Sequence, residues 1–181
     1  MSARSVIATL ALLAATGAQA QGSTEPSAWC DRVLPLDTLR SVLGPEAARV
    51  ERRATGVVPE GEGRCNRIYS IGRDPFSDEL ILLVSGARDA AGARRSLDRI
   101  AADVINPFGL ERPEGIGDAA VHYRANDPLR RAAFHTNVSF AVGDRVFELK
   151  YVNVDDGKDN VFVFNSEQML ALARSVAEAA R

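Results

Sequence analysis

The segment F-H-T-N-V-S-F-A-V-G-D-R-V-F-E-L-K-Y-V-N-V, residues 134–154, decides the fold of this chain. Two strand-like runs, Phe134–Val142 and Val146–Val154, flank the turn residues Gly143-Asp144-Arg145. Polar and apolar side chains alternate in the second run, which is the period of a strand with two different faces. The pattern predicts an antiparallel β-hairpin.

Further strands and helices follow on both sides of this hairpin. Cys65–Ile71, Leu80–Val84 and Ala119–Arg124 have strand patterns, and Val50–Thr55 is charged enough to be an edge strand. Phe108–Asp118 is rich in turn residues and is predicted to be a loop. Helical spacing is found in Leu36–Leu43, in Ala90–Ile105 after a capping Asp89, and from Asn165 onward, where Asn165 and Gln168 form a capping-box pattern. This order predicts an α+β fold, a mainly antiparallel sheet with helices packed on one face.

Two cysteines, Cys30 and Cys65, are the only ones in the chain. An even pair in an exported protein predicts a disulfide. Closing a loop of about 36 residues would stabilise the fold by about 4 kcal/mol. Two free thiols are the alternative.

The first twenty residues predict the cellular location. Arg4, an apolar run from Val6 to Ala15 and the small residues Ala18-Gln19-Ala20 have the pattern of a signal peptide. We expect cleavage after about Ala20, a short tether over 21–28, and a single α+β domain over 29–181. The protein would then be exported, either periplasmic or secreted, with no transmembrane span, because the apolar run is shorter than the ~20 residues that a spanning helix needs.

Composition excludes several functional classes. The chain is 46% apolar and 25% charged, which is typical of a globular protein, and its formal net charge is −2. Nucleic-acid-binding domains are usually strongly basic, so we predict no nucleic-acid partner.

No complete set of catalytic or metal-binding residues is recognisable. His122 and His135 fall on neighbouring predicted strands and could share a metal, but no third ligand has a recognisable spacing. Glu60 and Glu62 lie in a glycine-rich stretch, and the acidic residues of 153–160 do not have calcium-loop spacing. Gly115-Ile116-Gly117-Asp118 precedes a strand, whereas a dinucleotide fingerprint opens a helix. We therefore predict no cofactor.

Three short motifs resemble one family. Trp29-Cys30, Ser41-Val42-Leu43-Gly44 with Cys65 beyond it, and Gly115-Ile116-Gly117-Asp118-Ala119-Ala120 are similar to segments of exported bacterial proteins and lipoproteins that carry a two-cysteine domain of unknown function, common in actinobacteria. The resemblance implies an exported α+β domain and assigns no catalytic residues. This chain lacks the cysteine that lipoprotein members have at the cleavage site.

The sequence favours a non-enzymatic binding or protein-interaction module, with an unidentified protein or small-molecule partner in the cell envelope. Its candidate surface consists of aromatic and arginine residues on the predicted strands, namely Tyr69, Tyr123, Arg124 and Tyr151. Two alternatives stay open: an envelope enzyme, such as a metal-assisted hydrolase using His122 and His135, and an inhibitor or immunity-type protein.

Overall fold

The structure is a computed structural model, and it describes residues 28–43, 50–54, 61, 63–71, 78–104, 107–126, 134–152 and 165–181. The predicted signal peptide and the tether, apart from Ala28, lie outside these residues. So do Glu60, Glu62 and the acidic segment 153–160.

The described residues form four helices and one seven-stranded sheet. The helices are α1 (Ala28–Val33), α2 (Leu36–Leu43), α3 (Ala90–Asp103) and α4 (Ser166–Ala179). The strands are β1 (Val50–Ala54), β2 (Cys65–Ile71), β3 (Asp78–Gly86), β4 (Phe108–Glu111), β5 (Ala119–Asn126), β6 (Phe134–Val142) and β7 (Arg145–Val152). Their order in the sheet is β1-β2-β3-β7-β6-β5-β4, and all neighbours are antiparallel. The α+β class and the antiparallel sheet are confirmed.

The β6–β7 hairpin lies at the centre of the sheet. Its turn is Gly143-Asp144, one residue shorter than predicted, because Arg145 already pairs with Val142. Phe140 and Phe147 lie opposite each other with stacked rings, 5.0 Å between centroids. The predicted loop over 108–118 is wrong in its first part, where 108–111 pair with β5 as the edge strand β4.

The helices divide between the two faces of the sheet. On the first face, α1, α2 and α4 enclose the larger buried cluster, which includes Leu80, Phe140 and Phe147. On the second face, α3 places Ala93 and Leu97 on a smaller cluster. The predicted one-face arrangement therefore describes α1, α2 and α4, but not α3. The reason is that β5, β6 and β7 also carry apolar residues on their second face, among them Val121, Tyr123, Ala125, Ala141 and Val146.

The predicted disulfide is confirmed. Cys30 in α1 is bonded to Cys65 at the start of β2, with a Cα–Cα distance of 5.7 Å. Trp29, next to this bridge, packs on the ring of Phe147 and lies under the guanidinium of Arg145, which is 5.2 Å from its ring centroid. The disulfide thus joins α1 to the first residue of strand β2, and both cysteines belong to the larger buried cluster.

The Gly-x-Gly-Asp motif has a structural role. The amide of Asp118 donates to the carbonyl of Ala141 at 2.7 Å, and the Asp118 carboxylate accepts from the amide of Gly143 at 2.8 Å. Ile116 is inserted into the larger cluster and is 1% exposed. The motif therefore fastens the loop before β5 to the β6–β7 turn.

Among the described helices, none has both the length and the apolar character needed to cross a bilayer.

Candidate functional site

Three of the four predicted surface residues, Tyr69, Tyr151 and Tyr123, are core residues. Tyr69 and Tyr151 are fully buried on the first face of the sheet. The hydroxyl of Tyr69 donates to the carbonyl of Leu34 at 3.3 Å, and that of Tyr151 bonds to the carboxylate of Asp78. The predicted surface is therefore wrong at these two positions, because their strand faces are covered by helices.

The other two predicted residues lie on opposite faces of β5. Arg124 is exposed, whereas its neighbour Tyr123 is 7% exposed and belongs to the cluster beneath α3. Successive residues of a strand point to opposite faces, so the pair cannot form one surface. The predicted surface is therefore wrong at Tyr123 as well, and of the four predicted residues only Arg124 is exposed.

The two histidines are also separated by the sheet. The register pairs His122 with Val138 and His135 with Ala125, which places the two rings on opposite faces. His122 is 3% exposed, and its Nδ1 lies 2.7 Å from a carboxylate oxygen of Glu111. The prediction that His122 and His135 could share a metal is therefore wrong, because the register places their side chains on different faces of the sheet. The described residues contain no group of three or more metal-ligating side chains.

On the second face of the sheet, strands β2 and β3 carry half-buried aliphatic side chains that lie outside the cluster beneath α3. The cluster beneath α3 contains no residue of β2 or β3, because α3 packs mainly on β5, β6 and β7. Ile68, Ile81 and Leu83 are half-buried there, and Ile68 lies directly opposite Ile81. None of the three belongs to either buried cluster. We call these three residues the apolar strip.

Two charged side chains on β7 border the apolar strip. Glu148 lies opposite Leu83, and Lys150 lies opposite Ile81, so their Cβ atoms are expected ~5 Å from those of the strip. Both are half-buried. Neither has a hydrogen bond or an ion pair with another residue in the described ranges. Burial raises the pKa of the Glu148 carboxyl, and the nearby charge of Lys150 acts in the opposite direction.

Three buried side chains with polar groups lie next to Glu148 and Lys150 on the neighbouring strands β6 and β5. We call them the buried polar row: Ser139, Asn137 and Tyr123. Ser139 lies opposite Glu148, and Asn137 lies opposite Lys150 and next to Tyr123. The amide of Asn137 donates to the Tyr123 hydroxyl at 2.7 Å, and the Ser139 hydroxyl donates to Asn137 Oδ1 at 3.4 Å. Burial raises the pKa of Tyr123, the bond from Asn137 opposes this, and the charge of Glu148 raises it further. The Glu148 carboxylate therefore lies near the phenol, at the border between α3 and the apolar strip.

This arrangement is suited to binding. Apolar side chains beside a few convergent polar groups, some with perturbed pKa values, are typical of ligand sites. Ser139 is hydrogen-bonded to an amide, not to a base that could activate it as a nucleophile. Sequence reasoning had identified only Tyr123 of this group. The alternation on β7 already placed Glu148 and Lys150 on one face, but their position opposite Leu83 and Ile81 depends on the pairing of β7 with β3, which is distant in the sequence.

We expect Glu148→Gln to stabilise the protein at neutral pH. The raised pKa means that the folded protein binds the proton more tightly than the unfolded chain. The contribution of Glu148 is therefore most favourable below the ordinary glutamate pKa of about 4.3, and it is lost as pH rises through the raised pKa of the folded state.

Urea unfolding of both proteins between about pH 3 and pH 8 measures this effect. The gap in the free energy of unfolding between Glu148→Gln and the wild type should be present at neutral pH and should disappear in acid. Glu114→Gln, at an exposed loop position, is the control and should change little. A gap that does not depend on pH would contradict the role of burial.

Comparisons with known proteins identify no relative. No protein-family model matches this chain, and no curated protein and no solved structure matches it significantly. The family resemblance described above stays a prediction. Function therefore has to be inferred from the site, since a fold by itself does not specify one.

Proposed function

We propose that the protein is an exported, non-enzymatic binding module whose ligand contacts the apolar strip and the side chains of Glu148 and Lys150. The observation that carries the proposal is the pair of half-buried charges without a hydrogen-bonding partner among the described residues, directly beside half-buried Ile81 and Leu83. A half-buried charge loses part of its hydration, and a bound polar group would replace it.

The dimensions of the strip favour a small molecule. Ile81 and Leu83 are two residues apart on β3, about 7 Å, and Ile68 adds one strand spacing of about 5 Å. Stable protein–protein interfaces bury about 800 Å² per partner with some twenty residues a side. The apolar strip is much smaller than this, which favours a small ligand over an inhibitor-type or immunity-type protein contact.

Export is supported by two independent features. The pattern of residues 1–20 is that of a signal peptide, and the Cys30–Cys65 disulfide is of a kind that persists in oxidising compartments. A ligand would then be one that is available in the cell envelope or outside the cell.

The dye anilinonaphthalene sulfonate tests whether the apolar strip binds ligands. We expect the folded wild-type protein to bind it and Ile81→Glu to lose at least about tenfold in affinity, because a carboxylate replaces apolar contact area. The measurement is a fluorescence titration, with circular dichroism to verify folding. Should Ile81→Glu fail to fold, Ile81→Gln provides the same comparison.

Leu110→Glu is the matched control. Leu110 is 45% exposed on the edge strand β4, away from the strip, so this variant should bind the dye as the wild type does. Equal loss in Leu110→Glu and Ile81→Glu, or no binding by the wild-type protein, would overturn the proposed site.

A further inference from the structure

We infer that the site takes a small zwitterion with an aliphatic body, of the size and chemistry of a hydrophobic α-amino acid. Its ammonium group would bind Glu148, its carboxylate would bind Lys150, and its body would lie on Ile81 and Leu83. The inference rests on the proposed function and specifies the chemical class of its ligand.

The two charges are placed for a ligand of this kind. Glu148 and Lys150 are two residues apart on β7, so both point to the second face, with their Cβ atoms about 7 Å apart. The ammonium and carboxylate of an α-amino acid are separated by a single carbon atom. They can therefore lie between the two side chains and contact both.

The register places an apolar surface beside each charge. Leu83 is the cross-strand partner of Glu148, and Ile81 is the partner of Lys150. Ile68 extends this surface by one further strand. A ligand held at its two charges would thus project its body over the apolar strip, away from α3.

Charge complementarity disfavours simpler ligands. An aliphatic amine would pair with the Glu148 carboxylate but would place its positive charge near that of Lys150. An aliphatic acid would pair with the Lys150 ammonium but would place its negative charge near that of Glu148. Only a head group with both charges satisfies the two side chains together. Hydrogen bonds between oppositely charged groups are the stronger kind, and partial burial strengthens them.

The buried polar row borders Glu148 on the side of strand β6, where Ser139 lies opposite it. Ser139 is fully buried and bonded to Asn137, whose amide is bonded to Tyr123. These residues therefore lie on the β6 side of Glu148. The remaining side of Glu148 is the one that borders Leu83 and the apolar strip.

The test is an amide NMR titration of the full protein with four probes. L-Leucine carries both charges and an aliphatic body, leucinol lacks the carboxylate, 4-methylpentanoate lacks the ammonium, and glycine lacks the body. We expect leucine to bind with a millimolar or lower dissociation constant and to shift the amide signals of β3 and β7. Each of the other probes should bind roughly tenfold or more weakly, because each loses a charged hydrogen bond or the apolar contact.

Three variants complete the test. Glu148→Gln and Lys150→Met should each weaken leucine binding roughly tenfold, whereas Arg124→Met, which removes an exposed charge on the first face, should leave it unchanged. Leucine binding that is insensitive to both site variants would overturn the inference. So would equal binding of leucinol or 4-methylpentanoate.

The dye titration separates this inference from the proposed function. If the dye binds at Ile81 but leucine does not bind, the ligand class is wrong and the binding site stands. If neither probe binds, both proposals fail.

Discussion

Gly117→Ala is expected to lower the free energy of unfolding by about 2–5 kcal/mol. Gly117 has a φ of +56°, a conformation that costs an L-residue about 1–2 kcal/mol. A Cβ at this position would lie 2.2 Å from the backbone oxygen of Ala141, which cannot rotate away as a side chain would. Moving the backbone to relieve such a contact costs a further ~1–3 kcal/mol. The total is a large part of a typical domain stability of about 5–15 kcal/mol.

The damage should reach the central hairpin. The same Ala141 oxygen accepts the bond from the Asp118 amide, and the Asp118 carboxylate holds Gly143 in the β6–β7 turn. A shift of Gly117 away from β6 would therefore weaken both bonds of the motif. Hydrogen exchange of the Gly143 amide gives a local readout of that loss.

Gly115→Ala provides the matched control. Gly115 also has a positive φ, +72°, but a Cβ there would have no neighbour within 4 Å. This variant should lower the free energy of unfolding only by the cost of a positive φ in an L-residue, about 1–2 kcal/mol. Urea unfolding of the wild type and the two variants measures both values, and equal losses would show that the contact with Ala141 is unimportant.

Removal of the disulfide should have an effect of comparable size. The double variant Cys30→Ala/Cys65→Ala is expected to lose about 4 kcal/mol, because the bridge closes a loop between residues 35 apart and so restricts the unfolded chain. Alanine is the suitable replacement because both positions are buried, and a serine hydroxyl there would need a partner.

Reduced wild-type protein separates the crosslink from the packing. It keeps both sulfur atoms, so its loss reflects the missing bond alone, whereas the alanine variant also leaves two small cavities. Urea unfolding should therefore rank oxidised wild type above reduced wild type, and reduced wild type at or above the double variant. If the reduced and oxidised proteins unfold at the same urea concentration, the bridge does not stabilise the fold.

The stability and binding predictions for Glu148 have opposite signs. Glu148→Gln should stabilise the protein at neutral pH and weaken the binding of leucine. A group that costs stability and supports binding is typical of functional sites. A variant that loses both would indicate a structural role for the carboxylate.

Local features of the sequence predicted local structure well. The helix α3 begins after Asp89, whose carboxylate accepts from the amide of Gly92 at 2.6 Å. The capping box of Asn165 and Gln168 at the start of α4 is present with both of its bonds. Strand β6 has the predicted limits, Phe134–Val142. These elements depend on contacts within a few residues, and the amino-acid pattern contains that information directly.

The sequence by itself thus determined the antiparallel hairpin, the helix starts, the α+β class and the cysteine pair. The tertiary structure alone decided that β7 pairs with β3, which brings Glu148 and Lys150 beside Leu83 and Ile81. It also decided that α3 covers the second face and that His122 and His135 lie on opposite faces. The physical reason is that a shift of one residue in strand register moves every side chain to the other face. Register between distant strands is set by the packing of the whole core.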